Sequence, residues 1–432
     1  MKRIGIVGGG LVDWGGGIDL LRLFLGALKA VSSRGSDFKV VLLLPTLARR
    51  SNVFVRIHDA VKGGGDRSLI RWLQSTYWEL RRPDRRKVER SALLAGLRQV
   101  GCPFKVLNYD TVADLTATAR NHGVSVLAPS MIDLGRDSAV PWVGYLPDLQ
   151  HKHLQHLFSA DELASRDKSF AAIAGHADAL IATSESVKRD LLEFFEVSGP
   201  VVSLPFAPPE PSSEHFDVPA VAAKYGISRR YFVICNQFWK HKAHGTAFEA
   251  LGEIHRDPRF KDVDLVCTGI TEDYRDASYF PNLMRRAEEL GIKSRLHVLG
   301  RIAKHEQLAL ISGAVALIQP TLFEGTQGGL SVFDAVSLGT VVIASDIPVN
   351  TEAKDPLVEF FRAGDPHALA LRMQEALGEA RERPGYGERR ALARQRLQAL
   401  GAAFLSACEL AATRGRSTRR TEQEMRAALD PN

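Results

Sequence analysis

The chain has 432 residues, length for two or three domains with cores of their own. With 45% hydrophobic and 25% charged residues it has the composition of a soluble globular protein, and its net charge of +6 suits a phosphorylated ligand or an acidic surface without identifying nucleic acid. No apolar run approaches the ~20 residues that cross a membrane, no solenoid repeat is present, and the four cysteines at 102, 235, 267 and 408 lack metal or redox spacing.

Reduced thiols and the absence of a spanning segment point to the cytoplasm. Met1-Lys2-Arg3 precedes only a short apolar stretch broken by glycines, which reads as a first strand and not a signal peptide. Arg3 to Val7 is that strand, Gly8 to Gly17 a glycine-rich loop, Ile18 to Ala30 an amphipathic helix and Lys39 to Leu44 a second strand. This is a Rossmann-like start. A dinucleotide fingerprint is not met: Gly8 and Gly10 fit G-x-G-x-x-G, but Asp13 holds the third glycine's place, and no acid ends the second strand.

Ser68 to Arg82 has helical spacing, with Trp72 and Trp78 at its flanks and the basic run Arg81-Arg82-Pro83-Asp84-Arg85-Arg86-Lys87 after it. Such a run is either a grip on anionic lipid or a solvated helix end. Phe104 to Leu107, Ser125 to Ala128 and Trp142 to Tyr145 read as strands, with a helix over Val112 to Asn121. Asp148 and His151 lie just past a strand end, where open α/β sheets bind ligands. Either side chain can bond a hydroxyl, and Asp148 can orient the imidazole. His153 and His156 read as loop or helix-face residues. Ala177 to Thr183 is a further strand, and Ser184 an N-cap for a helix reaching Phe195.

Leu204 to Pro219 carries Pro205, Pro208, Pro209, Pro211 and Pro219, too many for regular structure. It divides the chain into residues 1–205, a linker over 206–219, a second domain over 220–400 and a helix with a basic, mobile tail over 401–432. Beyond the linker, strands over Tyr231 to Asn236, Asp264 to Gly269 and Arg295 to Leu299 alternate with helices. Lys240-His241-Lys242 follows the first of them, where a lysine can neutralise a diphosphate. Thr268-Gly269 closes the second.

Leu317 to Asp346 reads as strand, loop, helix and strand, with Gly339 stopping the helix. The loop Phe323-Glu324-Gly325-Thr326-Gln327-Gly328-Gly329 opens onto a helix N-terminus, a combination that makes an anion site. Glu324 and Asp334 can accept hydrogen bonds from hydroxyls, so the stretch suits a nucleotide sugar. The bland alternative is structural: Ser331 and Asp334 also match the S-x-x-D capping pattern.

Phe323-Glu324-Gly325, the glycine turn, Asp334-Ala335, Leu338-Gly339 and Val342 to Asp346 resemble the donor-site signature of family 4 of the retaining glycosyltransferases, the group 1 glycosyltransferases. Asp148 to His151 through Thr183-Ser184 resembles the acceptor-side block of mannosyltransferase-like members, and Asn236 to Lys242 the basic segment that opens the donor domain. The matching order runs from about Gly144 to Glu352. The resemblance implies a GT-B fold, α/β, with two Rossmann-like doubly wound domains facing a cleft. It implies a hexose moved from a nucleotide-diphosphate sugar to an acceptor hydroxyl with retention.

In that picture Lys242 and backbone amides near Gly328, Gly329 and Leu330 stabilise the leaving diphosphate. Lys240, Gln237 and Gly269 also border the donor, and Gly16 and Gly17 approach its phosphates from the first domain. Glu324 holds sugar hydroxyls, Asp334 ribose, and Asp148 or His151 the sugar or acceptor. No metal is expected and the cofactor is none. The donor is a GDP- or UDP-sugar with GDP-mannose preferred by resemblance, and the acceptor is a glycan, lipid-linked or other hydroxyl in polysaccharide or glycoconjugate synthesis. Peripheral contact with an anionic inner membrane face stays open. Two features depart from the family: Gln237 replaces its arginine, and Glu324 to Asp334 spans ten positions, longer than usual, with aspartate as the second acid. They leave open an epimerase of the same fold and a non-catalytic nucleotide-sugar-binding protein.

Overall fold

The structure is a computed structural model and describes residues 2–12, 15–32, 38–46, 83–211, 216–273, 275–378 and 383–429. The expected helix over Ser68 to Arg82, with its two tryptophans, lies outside these residues.

Two parallel sheets carry the chain. The first has seven strands in the order β3-β2-β1-β4-β5-β6-β7. These are β1 (Lys2–Val7), β2 (Phe38–Pro45), β3 (Phe104–Tyr109), β4 (Val126–Ser130), β5 (Trp142–Leu146), β6 (Ala179–Ala182) and β7 (Val201–Ser203). The second has six in the order β10-β9-β8-β11-β12-β13: β8 (Arg230–Cys235), β9 (Val263–Thr268), β10 (Leu296–Gly300), β11 (Leu317–Gln319), β12 (Val342–Ser345) and β13 (Val358–Phe361). Helices make most of the connections between strands, whereas β4 and β5 are joined by a loop without one. Strands β5 and β6 are buried at every position, which is why they read as apolar runs and not as alternating ones.

The helices follow local signals. Thr111 caps α3 (Val112–Asn121), its hydroxyl accepting from Asp114 N, and Ser184 caps α6 (Glu185–Phe194) by accepting from Val187 N, as its sequence position predicts. Gly339 ends α11 (Leu330–Leu338) in the left-handed region at φ 77°. Before these come α1 (Gly15–Ser32) and α2 (Pro83–Gln99), and between them α4 (Gln150–His153) and α5 (Ala160–His176). Then follow α7 (Val218–Lys224), α8 (His244–Ile254), α9 (Tyr279–Glu289), α10 (Lys304–Gly313), α12 (Pro366–Gly378) and α13 (Tyr386–Leu429).

By contact the chain forms two compact units. One comprises Met1–Gly144, His176–Asp178 and Cys408–Asn432, the other Tyr145–Gly175 and Ala179–Ala407. In the second unit, Phe232, Ile234, Phe248, Leu251, Ile318 and Ile343 form part of the core on one face of its sheet. Each such side chain contributes roughly 1.5–3 kcal/mol relative to exposure.

Three sequence expectations need correction. Gly15, Gly16 and Gly17 form the first turn of α1 and not a loop. Glycine costs about 1 kcal/mol per helical position, which burial of Leu20, Leu21, Phe24, Leu25 and Leu28 on the same helix offsets. The arginines from Arg414 to Arg420 are not a loose tail, since α13 continues through them to Leu429. Ser331 and Asp334 do not form a capping pair. The N-cap of α11 is Gly329, and no side chain caps the helix. Among the described residues no helix is long and apolar enough to cross a membrane.

Candidate functional site

The order of each sheet reverses once, and in the second the reversal lies between β8 and β11. Their carboxyl ends deliver Asn236 and Gln319, two amides that follow apolar strands. Both are buried, and Asn236 Nδ2 donates to Gln319 Oε1 at 2.9 Å. Gln319 Nε2 in turn donates to Glu324 Oε1 at 2.9 Å, and Lys242 Nζ donates to the same oxygen at 2.6 Å. The Lys242 and Glu324 side chains are 14% and 9% exposed. An ion pair so far from solvent survives only with further hydrogen bonds on its charges, and Gln319 supplies one. Ser331 Oγ completes the ladder at 3.5 Å from Gln319 Oε1.

The glycines around this ladder serve close approach. Gly328 and Gly329 both have φ 77°, a region that L side chains rarely adopt. A Cβ at Gly329 would stand 3.3 Å from Glu324 Oε2, the carboxylate oxygen that the ladder leaves over. The uncapped start of α11 follows directly, so its first N–H groups and dipole end adjoin the Lys242–Glu324 pair. Gly269, at the end of β9, has φ 132° and lies against the Asn236 carbonyl.

Gly325 touches the segment after β5. A Cβ there would overlap the Pro147 carbonyl and come within 2.7 Å of Asp148 Cβ. The Gly325 carbonyl accepts from Thr183 Oγ1 at 2.5 Å and Ser184 Oγ at 3.3 Å. The donor-like loop and the block from Asp148 to Ser184 thus meet through backbone, which admits no side chain.

The structure places the remaining expected residues as follows. Asp148 does not orient His151. Its Oδ1 accepts from Gln150 N at 3.0 Å, while His151 Nε2 is bonded to Asp167 Oδ1 at 2.9 Å with its ring edge-on to Phe170. The helix α5 brings Asp167 to the imidazole, a partner that sequence proximity to Asp148 conceals. Burial pushes the His151 pKa down, and Asp167 partly offsets this. Asp334, on α11, is paired through Oδ2 with Lys304 Nζ at 2.7 Å. Lys240 is exposed and its backbone N donates to buried Asp273; Gln237 is half-buried. Gly16 and Gly17 belong to the other compact unit. Ser345 Oγ donates to Thr321 O at 2.5 Å, and Asp346 Oδ1 accepts from Ala363 N at 2.8 Å. Glu352 accepts from the N–H groups of Glu185 and Ser186 at the start of α6.

The sequence reading passes over Gln319, Lys304 and Arg275, and names Asn236 only as the start of a segment, without a role of its own. The Arg275 guanidinium lies 5.2 Å over the Trp239 ring, bonds Asp273 and reaches Gln150 Oε1 at 3.4 Å. It brings a cation beside the segment where Gln237 lacks one. A polar residue ending an apolar strand was the available signal for Asn236 and Gln319. His153, read from sequence as a helix-face residue, is held by Asp190 at 2.7 Å and lines a cavity of about 400 Å3 together with Glu324. Among the described residues no three His, Cys, Asp or Glu side chains converge as a metal site.

Residues 220–391, which carry this ladder, match the family model described as glycosyl transferases group 1. The crystal structure of HepE from Anabaena in complex with UDP and glucose is similar to the whole chain, with a TM-score of 0.56 and 15% identity over 98% of this chain and 100% of that one. Sucrose-phosphate synthase from Thermosynechococcus elongatus gives 0.56 and 16% over 98% and 100%, and a glycosyltransferase from Rickettsia africae 0.53 and 12% over 100% and 99%. At such identities the likeness concerns the fold, which is the GT-B arrangement of two parallel-sheet domains. Comparison by sequence with curated proteins finds no match.

Proposed function

We propose that this protein is a glycosyltransferase that moves a hexose, with retention, from a nucleotide-diphosphate sugar to an acceptor hydroxyl. The observation that carries the reading is the buried Lys242–Glu324 pair beside two left-handed glycines and an uncapped helix start. These parts supply what breaking a glycosyl–diphosphate bond requires. The ammonium of Lys242 and the first amides of α11 face charge that grows on the leaving phosphate, the kind of preorganised stabilisation that weighs most in a site screened from water. Glu324, held by Lys242 and Gln319 through one oxygen, keeps Oε2 for donor-sugar hydroxyls. Asp334 takes ribose hydroxyls while Lys304 holds its other side. The departing phosphate accepts the acceptor's proton. The set is taken to work without a metal. Asp148 and His151 border the acceptor side, with the His151 ring fixed by Asp167.

GDP-mannose is favoured only by the sequence resemblance. The HepE crystal structure contains UDP, so UDP-sugars stand beside GDP-sugars as donors for this chain. Polysaccharide or glycoconjugate synthesis in the cytoplasm, with or without contact at the inner membrane face, is the setting the resemblance suggests. The test is a melting-temperature panel of GDP-, UDP-, dTDP- and ADP-sugars with and without divalent cation. A ligand that binds only the folded state raises the midpoint. A selective, metal-independent rise supports the reading and names the base; folded protein that responds to none of them overturns it.

A further inference from the structure

One face of α6 and one loop pair enclose the cavity that Glu324 lines. Ser186, Arg189, Asp190 and Glu193 sit at i, i+3, i+4 and i+7 and so share a helix face. Opposite them stand Phe323, Pro348 and Val349. The volume of about 400 Å3 lies within the range of small-molecule sites, roughly 300–1,000 Å3. The walls are fixed. Glu352 ties the loop after β12 to Ser186 Oγ at 2.6 Å, and Arg189 bonds the same hydroxyl at 3.0 Å.

Within it His153 is presented as a polar edge on an aromatic surface. Its Nε2 is engaged by Asp190 Oδ2 at 2.7 Å, and its ring lies 5.6 Å from Phe323, tilted by 36°, and edge-on to Phe194. The Asp190 bond leaves Nδ1 as the ring atom able to meet a ligand hydroxyl. Three carboxylates, Asp190, Glu193 and Glu324, line the cavity against Arg189 and His153. Carboxylates only accept hydrogen bonds, so this lining welcomes hydroxyls and opposes a phosphorylated group. The apolar wall of Phe323, Pro348 and Val349 suits the C–H face of a pyranose ring.

We infer that this cavity is an acceptor subsite for an uncharged pyranoside, with His153 and Asp190 as its hydroxyl contacts. The inference rests on the proposed transfer reaction, since it places a second sugar next to the glutamate assigned to the donor. Saturation-transfer NMR on the full chain with the methyl α- and β-pyranosides of glucose, mannose and galactose tests it. Two variants accompany the wild type. Leu322→Trp blocks the cavity from a position 46% exposed, and Asp190→Asn removes the negative charge from a proposed hydroxyl contact and from the His153 bond. At least one glycoside is expected to show transfer in the wild type, to lose it in Leu322→Trp and to weaken several-fold in Asp190→Asn. Absence of signal with every glycoside in the wild type, or undiminished signal in folded variants, overturns the inference. Should Leu322→Trp not fold, Asp190→Asn decides alone. UDP and GDP melting shifts, measured separately on the same proteins, report on the donor reading. Glycoside behaviour as expected without any nucleotide shift supports the subsite and sinks the donor assignment instead.

Discussion

The turn after β1 and the turn after β8 hold the same place in their sheets, at the carboxyl end of a central strand beside the reversal of strand order. Their linings differ. After β1, Gly8 packs on Leu44, Gly9 on Tyr109 and Ile132, and Gly10, at φ 80°, on Met131. Glycine there lets a turn settle among side chains, closed by Leu11 N and Val12 N donating to Gly8 O. After β8 come Asn236, the exposed Lys240 and the half-buried Lys242, connected through Gln319 to Glu324. Topology offers a ligand site at both turns, but among the described residues the second is the one that presents lysines and buried amides. Function is to be argued from such groups and not from the fold alone.

The comparison predicts where substitutions reach activity. Glu324→Gln keeps the shape and removes the charge that faces Lys242 and that the proposed reaction sets against the donor sugar. Transfer is expected to fall by roughly 10²–10³ in kcat, with the circular dichroism spectrum retained; unchanged turnover would remove Glu324 from the site. A backbone contrast comes next. Gly325→Ala places a methyl on the Pro147 carbonyl, which cannot swing away, whereas Gly9→Ala meets the far ends of Tyr109 and Ile132. Overpacking typically costs 1–3 kcal/mol, so about that loss is expected for Gly325→Ala, together with impaired transfer. Gly9→Ala is expected to cost less and to leave transfer intact. Denaturant midpoints with donor turnover on both variants check it, and equal behaviour would break the contrast between the two turns.

The same contrast marks what the sequence could convey. Strands buried on both faces announce themselves as apolar runs, and Gly339 and Ser184 carry their helix-end roles locally. The Glu324 loop was legible because its parts are contiguous. The ladder was not, because Asn236 and Gln319 lie 83 positions apart and meet only through the strand order that sets β8 beside β11. His151 shows the same limit. Its neighbour Asp148 was the natural partner by sequence, but α5 returns Asp167 to it. His153 gained its place beside Glu324 because α6 supplies Asp190 and the loop supplies Phe323. Periodicity describes one element at a time and carries no information about which side chains two distant elements bring together.

The turn after β8 also makes the second unit sensitive to acid. Burial, aided by the Lys242 charge, pushes His241 down to about 2 and His244 down to about 3. Unfolded, each takes up a proton near pH 6.5. Below that value the unfolded chain binds more protons than the folded one, so stability is greatest above it and falls as pH drops towards the folded values. Each histidine contributes at most about 1.4 kcal/mol per pH unit. Between pH 7.5 and 5.5 the melting temperature is expected to decline, and His244→Asn to flatten the decline. A slope that His244→Asn leaves unchanged would mean that this imidazole is not held neutral.

The smallest effect expected is at Glu352, and it tests how α6 is held. Its carboxylate accepts from Glu185 N and Ser186 N at 2.8 Å each and from Ser186 Oγ at 2.6 Å. An anion at a helix start also meets the positive end of the dipole. Glu352→Gln keeps the side-chain length but removes the charge, and its amide nitrogen must face a donor. A loss of about 1 kcal/mol is expected, in the range of a lost cap. Because the same contacts fix the wall formed by Ser186 and Arg189, acceptor KM is expected to rise while donor KM stays constant. Equal changes in both would place Glu352 on the donor's side, with the Lys242–Glu324 ladder, and not on the wall of the cavity beneath α6.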